Sequence, residues 1–253
     1  MTKENVWSPL EANPTTKEVF MRVRNHEDII ITPPRPEDVQ NIFVSQSDPR
    51  IYHWMLTTPK PYLREYAEAS WLKSKQHADA ALKELEDANS FNRPKLVSSC
   101  PVAFIRRVRE DGSDEFVGHV TIGRCPKGEL MKEEIVDWDH EVQNKAENDS
   151  KELGDPTILW SIGNFIAPKF HGQGIMTDVV DTILHDWAVP RMGVRHVLVG
   201  AFVENVGSAR VFEKNGFRTS RIIQRYREKN HFKVKGKIHG LHLLEWKHES
   251  YQM

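Results

Sequence analysis

Hydrophobic and polar positions change period along the chain, and each period predicts an element. The most regular block runs from Ile158 to Trp187. Ile158 to Ala167 is an apolar run with strand character, and Pro168 to Gly174 is a short turn bearing two glycines. The apolar residues after it return at helical spacing. Ile175, Val179, Val180, Ile183, Leu184 and Trp187 fall about three and four apart, which gathers them on one buried face. His196 to Val203 is a β-branched run and predicts a buried strand. A short helix follows over Ala209 to Asn215, with Gly216 just past its end.

Ahead of this block the pattern is less regular. Residues 1–27 form a lead-in, irregular or loosely packed over 1–25, with Trp7, Phe20 and Val23 as its anchors. Ile29 to Ile31 is a short strand ended by Pro33-Pro34. Pro36 opens a helix with Glu37 and Asp38 in its first turn, Val39, Ile42 and Phe43 on its inner face, and Ser47-Asp48-Pro49 as its stop. A second helix follows Pro61-Tyr62, with Tyr66, Ala69, Trp71 and Leu72 apolar. The charge-rich stretch 77–95 keeps Ala80, Ala81, Leu82 and Leu85 at helical spacing, so we expect an exposed extension ending at Asn92-Arg93-Pro94. Leu96 to Arg109 and Phe116 to Arg124 predict two strands joined by the turn Glu110 to Asp114. Residues 126–155 are a polar insertion, a surface loop or short helix with Ile135, Val136 and Trp138 tucked inward. Thr219 to Glu228 and Lys237 to Trp246 predict closing strands around the basic connection Lys229 to Gly236, and 248–253 is a tail.

Composition narrows the class. The chain has 253 residues, enough to bury a sizeable core. Its 35 Lys and Arg nearly balance 36 Asp and Glu, which argues against nucleic-acid binding driven by bulk charge. No apolar run approaches a membrane span, and the N-terminus lacks the basic start and apolar core of a secretory signal. Cys100 and Cys125 sit without companion ligand spacing, and the 12 histidines are scattered, so no metal site is expected. We therefore expect a cytoplasmic protein, without membrane or nucleic-acid partners and without a metal.

The chemistry concentrates at the glycine turn. A strand that passes through a Gly-x-Gly turn into a helix start aims several backbone N–H groups at one point, where the helix dipole adds positive charge. A bulky anion such as a pyrophosphate suits that point, provided side chains are absent at Gly172 and Gly174. The plainer alternative is a tight turn with no ligand. A dinucleotide fingerprint would need a third glycine where Thr177 stands, and a P-loop would need Lys-Ser/Thr where Ile175 and Met176 follow Gly174.

Lys169-Phe170-His171-Gly172-Gln173-Gly174 resembles the acetyl-CoA loop, Gln/Arg-x-x-Gly-x-Gly/Ala, of the GCN5-related N-acetyltransferases (GNAT). Asn205-x-x-Ser208 followed by Glu213-Lys214-Asn215-Gly216-Phe217 resembles the family's second motif. The N-terminal order, with Arg35-Pro36-Glu37-Asp38-Val39 and Ser47-Asp48-Pro49-Arg50, is similar to the branch that includes the ribosomal-protein N-terminal acetyltransferases. The resemblance implies an α/β fold, a mixed and mostly antiparallel sheet flanked by helices, over residues 28–247 with insertions near 77–95 and 126–155.

It further implies an N-acetyltransferase that moves an acetyl group from acetyl-CoA to a primary amine by direct attack, as monomer or homodimer. On that resemblance Phe165, Ile166 and Ala167 hold the pantetheine arm. Phe170, His171, Gly172, Gln173, Gly174, Ile175 and Met176 hold the pyrophosphate. Asn205 and Ser208 lie along the arm near the thioester, and Lys214 meets a coenzyme phosphate. Tyr52, Trp54 and Tyr62 become candidates for acceptor contact, against the plainer reading that such aromatics are core. Two departures stand out. Ser161 replaces the glutamate often found two residues before Gly163, and Phe212 replaces the tyrosine general acid and cannot donate a proton. Ser208 is then the candidate acid, its plainer role being a helix cap. His119, Glu204, Asp137, Asp139 and His140 are candidate bases. The missing groups keep a catalytically degenerate acyl-CoA-binding sensor or interaction module open as the alternative.

Overall fold

The computed structural model describes residues 7–55, 58–59, 61–90, 96–127, 140–223 and 240–251. Its strands are β1 (Glu11–Ala12), β2 (Val19–Val23), β3 (His26–Thr32), β4 (Phe104–Val108), β5 (Asp114–Arg124), β6 (Trp160–Ile166), β7 (His196–Phe202), β8 (Arg218–Ile223) and β9 (Leu241–Lys247). They form a mixed sheet in the order β1-β2-β3-β4-β5-β6-β7-β9-β8. Every pairing with a resolved register is antiparallel except Trp160 of β6 opposite Val197 of β7, which is parallel. The helices are α1 (Asp38–Ser47), α2 (Pro49–Tyr52), α3 (Arg64–Ser90), α4 (Glu141–Ser150), α5 (Ile175–Thr182), α6 (Val189–Met192) and α7 (Val206–Lys214).

The chain divides into two compact units, 1–121 with 164–192, and 122–163 with 193–253. In the first, Ile42 of α1 and Ala67 of α3 pack on Ala103 and Phe104, with Val39, Phe43, Tyr62, Trp71 and Phe116 around them. A buried ion pair fixes the start of α1 here. Arg106 Nη2 sits 2.6 Å from Asp38 Oδ2, and Arg106 Nε donates to Thr32 Oγ1 at 2.9 Å. Burial pushes the Asp38 carboxyl upward, against the pull of Arg106. Breaking such a pair from one side typically costs about 3–5 kcal/mol, because the other charge stays buried.

α5 lies against β2 and β3 and is tied to the chain just after β2 by Arg24, which pairs with Asp181 and Asp186. Past Thr182 the helix widens into a π turn over Ile183–Ala188, where the Val189 amide reaches back to Leu184 O. Pro190 follows and has no N–H to continue the α pattern, which gives the widening its cause. Ile183, Leu184 and Trp187 are buried there, as their spacing predicts.

In the second unit β7 pairs with β9 along its whole length, His196 to Phe202. α4 is held by Asn148, whose side chain donates to Leu159 O at 2.8 Å and accepts the Leu159 N–H at 2.9 Å. A buried side-chain amide thus satisfies the Leu159 N–H and gives its carbonyl, which already accepts the Cys125 N–H at 2.8 Å, a second donor.

Three expectations need correction. The lead-in is not irregular throughout, since Val19–Val23 is a strand paired with β3 and Met21 and Val23 are buried. The stretch from 77 is not an exposed extension through Ser90: Ala78, Ala81, Leu85 and Ala88 form a buried stripe. Its small alanines hide that stripe in the sequence. The strand expected over Leu96 to Arg109 is confined to Phe104–Val108, because Ser98, Ser99 and Pro101 interrupt it. Ile135, Val136, Trp138 and the connection 229–236 lie outside the described residues.

Candidate active site

β6 ends at Ile166, and one tight turn over Pro168–Phe170 leads to Gly172 and Gly174. Their φ angles are 75° and 80°. A side chain pays about 1–2 kcal/mol in that left-handed region. A Cβ at either position would meet no protein atom within 4 Å, so the backbone demands glycine while the space before it is open. Gly174 opens α5 with no side-chain cap. Among the described residues the amides of Gly172, Gln173, Gly174, Ile175 and Met176 donate to no acceptor. The next two, Thr177 and Asp178, already bond Gly174 O at 2.9 and 3.2 Å. A run of unspent amides at a helix start is the kind of feature that suits an anion.

The turn has a firm frame. Phe170 is buried, with Arg107 Cζ 4.9 Å and Lys169 Nζ 4.8 Å from its ring centre. Gln173 Nε2 donates to Lys169 O at 2.9 Å, and Arg107 Nη2 donates to Gln173 Oε1 at 3.0 Å. Lys169 Nζ lies 2.6 Å from Glu115, whose carboxyl it holds below the usual range. His171 Nε2 is 2.9 Å from Ile166 O, and Ala167 N–H donates to Val117 O at 2.8 Å. Two of the groups expected along the pantetheine arm are therefore spent inside the fold. Phe170 is spent too, its ring buried and its N–H donating to Ala167 O at 2.9 Å.

β5 approaches β6 closely. A Cβ on Gly118 would stand 2.5 Å from Phe165 O, and the β4–β5 register shifts beside it. His119, the next residue, has its ring 4.7 Å from Phe104 and 5.7 Å from Phe165. Its Nε2 is buried with no partner among the described residues, and burial pushes the imidazole down to about 4. His119 is thus neutral at pH 7 and a weak proton acceptor. Of the aromatics, Tyr62 is half-buried at the edge of the α1–α3 cluster, and burial raises its phenol. Trp54 packs edge-on to His53 at 4.7 Å, and Tyr52 is half-buried in α2.

The remaining candidates belong to the second unit. Asn205 caps α7, its Oδ1 accepting the Ser208 N–H at 3.2 Å. Ser208 is therefore not the cap, and among the described residues its hydroxyl makes no hydrogen bond. Phe212 is sealed in the core with its ring 5.2 Å from Phe217. Glu204 and Lys214 are exposed, as is His140 ahead of α4, while Asp137 and Asp139 fall outside the described residues. Cys100 and Cys125 form no disulfide, and burial pushes the Cys100 thiol up to about 12, far from a nucleophile. Among the described residues no cluster suits a metal, and no helix is long and apolar enough to cross a membrane. Periodicity alone did not single out Arg107, Gly118, Phe104 or Phe116. The β-prone run holding Phe104-Ile105-Arg106-Arg107 places Arg107 on a strand, which is its signal in the sequence.

A family profile described as the acetyltransferase (GNAT) domain matches residues 28–218. Among curated proteins no sequence matches. Several solved structures share the fold. An acetyltransferase of the GNAT family from Bacillus anthracis aligns over 90% of this chain and 98% of its own at 12% identity, with a TM-score of 0.55. A ribosomal-protein-S5-alanine acetyltransferase from Vibrio fischeri covers 92% and 100% at 14% identity and TM-score 0.54. RimJ of Mycobacterium smegmatis, in complex with CoA-disulfide, covers 89% and 84% at 19% identity and TM-score 0.51.

Proposed function

Since this chain belongs to the GNAT acetyltransferase family, we propose that it is an acyltransferase that moves the acetyl group of acetyl-CoA onto a primary amine. The single observation that carries the coenzyme is the run of unspent amides from Gly172 to Met176, with open space before both glycines. RimJ of Mycobacterium smegmatis was solved with CoA-disulfide, and a microcin C7 self-immunity acetyltransferase with acetyl-CoA and AMP, which supports the same class of donor here. Likeness to ribosomal-protein acetyltransferases favours a peptide N-terminus among the amines.

The chemistry needs few groups. A neutral amine attacks the thioester carbonyl, the C–N bond forms, the C–S bond breaks, and the thiolate takes up a proton. We assign that proton to Ser208, directly or through a water, because Phe212 cannot give one. The attacking amine loses its proton to water or to exposed Glu204. With its pKa near 4, His119 suits an acceptor of a hydrogen bond better than a proton sink. We place the reaction in the cytosol, a compartment that keeps cysteines such as Cys100 and Cys125 out of disulfides. Phe212 in the core also favours a second reading, acyl-CoA binding without turnover. Free-thiol release from acetyl-CoA against a panel of peptide N-termini and small amines separates the two. Coenzyme binding with no thiol released above background for any amine would leave the binding module.

A further inference from the structure

The glycine turn borrows a cation from another strand. Arg107 stands on β4, far from the turn in sequence, yet its Nη2 donates to the side chain of Gln173, the residue between the two glycines. Three contacts hold the guanidinium: a hydrogen bond to Gln173 Oε1 at 3.0 Å, the Phe170 ring at 4.9 Å, and an ion pair with Asp28 Oδ2, 2.9 Å from a buried Nε that makes no hydrogen bond among the described residues. Its Nη1 makes no hydrogen bond among the described residues, and the side chain is 29% exposed. A half-buried guanidinium already held in place loses little freedom when it binds, and its planar fork matches phosphate oxygens.

We propose that Arg107 is a phosphate-binding residue of the coenzyme site, meeting the pyrophosphate that the Gly172–Met176 amides cradle. This rests on the acyl-CoA reading above. The other charged groups around the turn are accounted for. Lys169 is 60% exposed and held by Glu115, so solvent and a carboxylate screen it. His171 is exposed and spends Nε2 on Ile166 O. Asp28 offsets part of the Arg107 charge from a 49% exposed position. Arg107 is less exposed than Lys169, and it is the cation from outside the turn that bonds to it.

The test uses R107Q and R107K with CoA, dephospho-CoA and acetyl-pantetheine. Calorimetry on folded R107Q should show CoA and dephospho-CoA weakened by the same factor, about 10- to 100-fold, as expected for a lost charge-assisted hydrogen bond. KM for acetyl-CoA should rise in step while kcat stays within about twofold, the mark of lost ground-state binding. R107K should recover part of the loss, and kcat/KM with acetyl-pantetheine, which has no phosphate, should not move. Parent-like CoA binding by R107Q overturns the assignment. A loss confined to CoA, sparing dephospho-CoA, moves Arg107 to the 3′-phosphate and overturns it as well. An equal loss with acetyl-pantetheine reduces Arg107 to framing the turn. A parent enzyme that binds no CoA overturns the coenzyme reading instead.

Discussion

α5 and α7 both start just past the end of a strand, and they treat their opening amides in opposite ways. At α7 the Asn205 side chain accepts the Ser208 N–H, so the helix satisfies its own start. At α5 the residue before the helix is a glycine, no side chain caps it, and the amides from Gly172 to Met176 stay unspent. A good cap contributes about 0.5–2 kcal/mol, and α5 does without it. Stability left unclaimed at one helix start and taken at another is the physical contrast behind the proposed coenzyme site.

The strongest way to break that contrast is to fill the α5 turn. Gly172→Val with Gly174→Val should weaken acetyl-CoA binding by roughly 1,000-fold, the equivalent of losing two or three charge-assisted hydrogen bonds. The fold should also suffer, by about 1–2 kcal/mol for each left-handed valine. Calorimetry on protein checked by its melting curve reads both, and a folded double variant with parent affinity would place the coenzyme elsewhere.

The same distinction between spent and unspent polar atoms applies to His119. Its ring is held down to about 4 by burial, below the ordinary histidine value of 6.5. As pH falls from 6.5 to 4 the unfolded chain takes up a proton that the folded ring refuses. Stability is therefore full above that window and should drop by roughly 3 kcal/mol across it. His119→Phe should flatten that part of the curve in urea melts run at pH 4 to 7. A parent and variant that lose stability in parallel would show that Nε2 has a partner.

Within α7 the contrast sharpens to two neighbours. Ser208→Ala should lower kcat by about 100-fold, near the low end for a general acid, since a hydroxyl is a reluctant donor. Its melting temperature should hold, because Ser208 does not cap the helix. Asn205→Ala should do the reverse to the fold, costing about 0.5–2 kcal/mol. Were Ser208→Ala to turn over at the parent rate, the leaving thiolate would draw its proton from solvent.

What the sequence made legible is what depends on near neighbours. The strand, turn and helix from Trp160 to Thr182, and α7 with its Asn205 cap, are written in local spacing and in residues with strict backbone roles. What it concealed depends on partners far along the chain. Arg106 and Asp38 read as two ordinary surface charges until the fold buries them together. Val19 to Val23 has too little alternation to declare itself a strand and is one because β3 pairs with it. The α3 stripe is three alanines and Leu85, and alanines carry a weak hydrophobic signal but fit where helices must come close. The site divides in the same way, with its glycines plain in the sequence and Arg107 hidden.

Gly118 bears on how relatives of this chain should be read. Any side chain there would collide with the Phe165 carbonyl, so packing alone forbids replacement. Gly172 and Gly174 face open space and owe their identity to backbone angle and, on the proposed reading, to the coenzyme. Invariance in a set of homologues would not by itself tell these two kinds of constraint apart. A lineage that has given up the coenzyme should release the two turn positions first and keep Gly118, so the order in which glycines decay would date the loss of activity separately from the loss of fold.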